Sequence, residues 1–142
     1  MVAELFESGQ IAESRVACSS GSAAQRLGAL LRTISNLHRD RLANHRHLHE
    51  LMAAAVGEGW PAALSNAERL LDLISTMIAA GQACEEFRPA SPKGFACCLM
   101  EAMNVHLSPL RLGTVAPRPA FDQMLEFCMA ALRGLAPLPN PQ

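Results

Sequence analysis

Tyrosine is missing from this chain altogether, and tryptophan occurs once. One common catalytic side chain is therefore unavailable. A charge of one sign is also lacking: 12 basic residues stand against 13 acidic ones, for a formal net charge of −1. A domain that grips nucleic acid through phosphates carries a clear basic excess, so this chain is not expected to hold DNA or RNA itself. No apolar run reaches the roughly eighteen residues of a membrane span. The N-terminus has no basic region followed by an apolar core, so no signal peptide is expected. The five cysteines, Cys18, Cys84, Cys97, Cys98 and Cys128, form no CxxC pair. They are expected to be buried thiols in a reducing compartment, which places the chain in the cytoplasm.

Catalytic motifs are absent too. There is no GxSxG, no glycine-rich phosphate loop and no Cys–His pair at recognisable spacing. Glu85 and Glu86 are neighbours in a loop, so they diverge and read as a solvated pair. Neither an enzyme nor a cofactor is expected.

Hydrophobicity at the helical period is the dominant positive signal. Half of the 142 residues are hydrophobic, enough for one domain (1–142) with one sizeable core. Residues 2–16 form an amphipathic opener with Leu5, Phe6 and Ile11 as apolar points. "CSSGS" (18–22) is a loop in which Ser22 caps the next helix. Leu27, Leu30, Leu31, Ile34, Leu37 and Leu42 then recur at threes and fours. Asn44 offers a second cap, followed by Leu48, Leu51, Met52, Ala55 and Val56. Gly57 and Gly59 break that helix, and Pro61 fits the first turn of the next, which ends near Gly81. "EEFRPASP" is a loop in which Ser91 offers a cap. Residues 93–107 form a helix, Pro109, Gly113, Pro117 and Pro119 mark a connection, and 121–135 are the last helix. "PLPNPQ" reads as a frayed tail. The expected fold class is all-α, a bundle of about six helices.

The last two helices are apolar almost all round, leaving narrow polar stripes at Glu101 and Asn104 and at Asp122, Gln123, Glu126 and Arg133. Such helices need cover on both sides. The expectation is that one side packs inward and the other against a second copy, giving a homodimer.

"LANHRHLHEL" holds His45, His47 and His49 in alternation. On a strand all three would share one face; on a helix they spread around it. The helical reading leaves His45 and His49 as the one pair able to share an ion, with His38 and His106 as remote candidates. Two ligands are too few for a closed zinc site, so no metal site is assigned. His45, His49 and His106 remain the candidate ligands of a metal-responsive alternative.

The order of these helices, with "LISTMIAAGQACEEFRPASPKGFACCLMEAMNVHLSPL" at 73–110, resembles the C-terminal domain of the tetracycline-repressor (TetR) family of transcriptional regulators. The family's helix-ending Gly, its "G-x-F-R-P-x-D-P" loop and its closing "F-x-x-P" are matched by Gly81, Phe87, Arg88, Pro89, Pro92 and Pro109. Glu85 stands where Gly is usual, Ser91 where Asp is usual, and Val105 in place of the aromatic. "HLHELMAAAVGEGWPAAL" (47–64) resembles the family's sixth and seventh helices. The start at "VAELF" looks like the helix after the family's DNA-reading headpiece, so that headpiece is expected to be absent.

The resemblance implies an effector-sensing and dimerising domain. DNA is reached only through the headpiece, and no membrane is involved. A small apolar ligand enters among the middle helices, and Met52, Val56, Trp60, Leu71, Ile74, Met77, Met100 and Met103 are candidates for the cavity wall. Asn104 and Glu101 would supply its polar contacts. Phe95, Cys98, Leu99, Phe121, Met124, Leu125, Cys128 and Leu132 are the interface candidates. A helical scaffold with no ligand is the other alternative.

Overall fold

A computed structural model describes residues 2–113 and 118–134. Pro117 and the "PLPNPQ" tail lie outside the described residues. Among the described residues six helices succeed one another: α1 (Val2–Ala17), α2 (Ala23–Asn44), α3 (Arg46–Gly57), α4 (Pro61–Ala83), α5 (Pro92–Leu107) and α6 (Phe121–Arg133). No strand occurs among the described residues. The expected all-α class and its six helices are observed.

Local chemistry sets the boundaries. Ser22 and Gln25 form a reciprocal capping box at the start of α2. Pro61 occupies the first turn of α4, where a missing N–H costs nothing. The Ser91 hydroxyl accepts from the Gly94 N–H at 3.1 Å and starts α5. Asn44 is not a cap. It is the last residue of α2, with its amide bonded to Asp40 one turn back, and His45 forms the break between α2 and α3.

The end of α4 explains the "EEFRP" loop. The Glu86 N–H reaches back to the Gly81 carbonyl and the Glu85 N–H to the Gln82 carbonyl, the double bond of a Schellman ending. Glu85 takes the left-handed position, at φ 58°. Gly81 is required for another reason: a Cβ there would lie 2.3 Å from the ring of Phe87, which is buried against it.

Two apolar clusters result. The larger joins α2, α4, α5 and α6 through Leu27, Leu30, Leu31, Ile74, Ile78, Met103 and their neighbours. The smaller joins α1, α3 and the start of α4 through Phe6, Met52, Ala55 and Ala63. One core was expected; the described residues build two. Ile11 does not contribute, being 58% exposed. The inward face of α1 carries Phe6, Gly9 and Glu13 instead. The cysteines also depart from expectation: Cys128 is buried, while Cys18, Cys84, Cys97 and Cys98 are exposed.

Candidate functional site

Between the two apolar clusters lies a cavity of about 280 Å³. The smaller cluster lends Phe6, Met52 and Ala63 to its wall, and the larger lends Ile34, Leu70 and Leu107. Val56 and Leu64 are also in the lining and are partly solvated, at 37% and 58% exposure, so they mark the mouth. Every helix but α6 contributes. α1 supplies Leu5 and Glu13, α2 supplies Leu37, His38 and Arg41, α4 adds Asn66 and Ala67, and α5 adds Met100, Glu101 and Asn104.

The wall is apolar with a few fixed charges, the usual composition of a small-molecule site. Glu13 is buried and paired with Arg69. Asn66 Oδ1 accepts from Gln10 at 3.1 Å and from Arg69 at 3.3 Å. Arg41 is buried and donates through Nη2 to the Leu5 carbonyl at 3.1 Å, tying α2 to α1. Burial lowers the pKa of its guanidinium, against the pull of Glu13 and Asp40. His38 is driven down to about 4 by burial, then by the charge of Arg41 and by His49. Its imidazole is therefore neutral at neutral pH.

Of the residues the sequence pointed to, Met52, Val56, Met100, Asn104 and Glu101 line this cavity. Ile74, Met77 and Met103 sit in the larger core, and Leu71 packs on it. Trp60 packs on the smaller core, and its Nε1 donates to Glu58 at 2.7 Å. The contributions of α1 and α2 were missed. A signal for them exists: Glu13 and Arg41 interrupt apolar stripes, at i+7 from Phe6 and from Ile34. A charge on a core-facing stripe marks a place where the core is not closed.

His45 and His106 fall in separate settings, while His49 lies near enough to His38 to help lower its pKa. His45 is exposed, 3.9 Å from Asp40. His106 is buried with both nitrogens engaged, Nε2 at 3.0 Å from the Pro119 carbonyl and Nδ1 at 3.2 Å from Arg39. A guanidinium only donates, so Nδ1 accepts and Nε2 carries the proton. Burial, offset by the Pro119 bond and helped by Arg39 and Arg118, holds the His106 pKa below its ordinary value. Its ring also meets Phe121 edge-on at 5.6 Å. Among the described residues no three His, Cys, Asp or Glu side chains gather as a metal site.

Around the "EEFRP" loop the contacts are structural. Glu86 is not a solvated partner of Glu85. Its carboxylate accepts from the N–H groups of Ala23 and Ala24 at 2.9 Å each. Burial pushes its pKa up, but those bonds, the Ser22 hydroxyl and Arg133 outweigh it and hold the group below the usual carboxylate range. Arg88 donates from its backbone to the Leu132 carbonyl at 2.8 Å and from Nε to the Ala131 carbonyl at 3.0 Å, and its guanidinium lies over Phe95.

The interface candidates divide. Leu99, Phe121, Cys128 and Leu132 are buried in the protomer's own core, while Phe95, Met124 and Leu125 are partly buried against it. Cys98 is exposed. Phe127, which the sequence pattern did not single out, is 72% exposed.

No helix among the described residues is long and apolar enough to cross a membrane. No curated protein and no solved structure matches the chain. A family model does: the tetracyclin repressor-like C-terminal domain, over residues 23–126. The matched span takes in α2 to α5 and the first turns of α6, which is most of the chain. Six helices in this order, the Gly81–Phe87–Arg88 ending of α4 and that match together place the chain in the tetracyclin repressor-like C-terminal domain family of transcriptional regulators.

Proposed function

We propose that the chain is the effector-sensing and dimerisation domain of a tetracycline-repressor-like regulator, taking a small, largely apolar ligand into the cavity between its two cores. The observation that carries this reading is the cavity itself, about 280 Å³ and walled by five helices. A ligand there touches both clusters at once. It therefore favours one placement of the α1–α3 unit relative to the α2–α4–α5–α6 core over others. Differential affinity of that kind shifts a population and requires no chemistry. In a regulator the shift alters DNA binding by a separate headpiece.

Dimerisation rests on α5 and α6. Phe127 stands 72% exposed with Met124 and Ala131 one turn away on the same side of α6. Cys98 is solvated on α5, which packs against α6. An apolar ring this exposed gains from cover. A second copy of the same pair of helices supplies that cover in a two-fold arrangement.

Titration with an apolar fluorescent probe, 1-aminoanthracene, tests the ligand reading. A single saturable site is expected. A helical scaffold without a ligand site would give no saturable signal, and that result would remove the reading.

A further inference from the structure

The charged side chains that line the cavity are Glu13, Glu101 and Arg41. Glu13 is buried and paired with Arg69, which is outside the lining. Arg41 lies in the field of two carboxylates, Glu13 and Asp40, and both favour its charged form. Glu101 is exposed, where an ion pair is worth little. No buried charge on this wall is left over for a ligand to neutralise. A ligand that brings a charge of its own gives up hydration without a matching partner, which is costly for either sign.

The polarity still open on the wall is uncharged. Its uncharged polar side chains are His38, Asn66, Asn104 and Ser108. Asn66 is engaged by Gln10 and Arg69, and the Ser108 hydroxyl accepts from the Leu110 N–H at 3.3 Å. His38 and Asn104 are half-buried, and neither side chain makes a hydrogen bond among the described residues. A neutral imidazole has one donor and one acceptor nitrogen, and an amide side chain offers both functions. Burial keeps the His38 ring neutral at neutral pH. Ile34 stands one turn before His38 on α2, and Met100 one turn before Asn104 on α5, so each open polar group adjoins an apolar neighbour on its own helix face. Resting on the ligand-binding reading above, we infer that the cavity selects neutral amphiphiles whose head both donates and accepts, carboxamides foremost, with the head on Asn104 and His38 and the apolar body against Ile34, Met52 and Met100. A carboxamide supplies an N–H and a carbonyl without charge. A carboxylate only accepts and an ammonium only donates, and each brings a charge that the wall does not match.

Calorimetric titration of the protein with octanamide, octanoate and octylamine at neutral pH tests this. Octanamide is expected to bind about tenfold or more tightly than either ion. Asn104→Leu is expected to weaken octanamide by about threefold to tenfold, the loss of one neutral hydrogen bond. Asn104→Asp, of nearly the same shape, puts a carboxylate where the amide stood and is expected to make octylamine the tighter ligand. Octanoate or octylamine binding the unaltered protein as tightly as octanamide overturns the inference while leaving the cavity as a ligand site, and this comparison needs no variant to fold. Binding by none of the three beside a saturable 1-aminoanthracene site overturns it as well. An unchanged order of amide and amine in an Asn104→Asp protein that still takes up 1-aminoanthracene overturns the placing of the head on Asn104. Binding by none of the three, together with no saturable 1-aminoanthracene site, removes the ligand-binding reading itself.

Discussion

Glu85 sits at φ 58°, a conformation that costs a side-chain-bearing residue roughly 1–2 kcal/mol. Glycine avoids that cost but gives back part of the gain through the freedom of its unfolded chain. Glu85→Gly is therefore expected to stabilise the domain by about 0.5–1 kcal/mol, read as a higher urea midpoint at unchanged slope. The strain was visible in the sequence only as a departure from the family's usual glycine at that place. His38 gives a second residue-scale expectation. Its pKa is 6.5 as an ordinary histidine and about 4 in the fold, so the unfolded chain takes up the proton first as pH falls. The stability this provides is complete above pH 6.5 and is lost as pH drops from 6.5 toward 4. His106 is displaced in the same direction. Urea unfolding at pH 7 and pH 5 is expected to differ by on the order of 1–2 kcal/mol on account of His38. His38→Gln should flatten that dependence, and the same dependence in the variant as in the unaltered protein would contradict the assignment. Neither histidine's setting could be read from the sequence, because burial beside Arg41 or Arg39 depends on contacts between residues far apart in the chain.

At the scale of elements, helix positions were legible where a cap or a proline writes them: Ser22, Pro61 and Ser91 each start a helix as expected. The orientation of α1 was not. Its apolar points do not decide which side faces inward, and the burial of Glu13 with Arg69 turned Ile11 outward. The loop after α4 was recognisable as a motif, but its work was not. It ties three helix ends together: Glu86 caps the start of α2, Phe87 fills the space Gly81 leaves on α4, and Arg88 holds the last carbonyls of α6. Removing the Glu86 carboxylate strands two N–H groups at the α2 start. Glu86→Ala is expected to cost about 1–3 kcal/mol, and hydrogen exchange at Ala23 and Ala24 should speed up before the rest of α2. Unchanged exchange there would mean that the cap is dispensable.

For the whole molecule, periodicity indicated one bundle, and the chain made a bundle with a seam. The residues foreseen for the cavity and placed on its wall, Met52, Val56, Met100, Glu101 and Asn104, come from α3 and α5. Those missed come from α1, α2 and α4, with Leu107 from α5; the polar interruptions of α1 and α2 mark the seam. The outer surface obeys the same logic: a helix apolar all round was legible, but which ring stays uncovered was fixed only by how α6 seats Cys128 and Leu132 inward. Phe127→Asp is expected to convert a dimer of about twice 15.2 kDa into a monomer by light scattering, with little change in stability because the ring is solvated in the protomer. A mass near 15.2 kDa for the unaltered protein would remove the dimer. The cavity is the centre of the account, and a variant that blocks its mouth tests it best. Ala67 lines the cavity from an exposed position on α4, so Ala67→Trp can obstruct it without disturbing either core. Titration of both proteins with 1-aminoanthracene should show one saturable site in the unaltered chain and at least about tenfold weaker binding in the variant, the loss of roughly 1.4 kcal/mol of contact. Equal affinity in the two proteins would place the probe elsewhere and contradict the account.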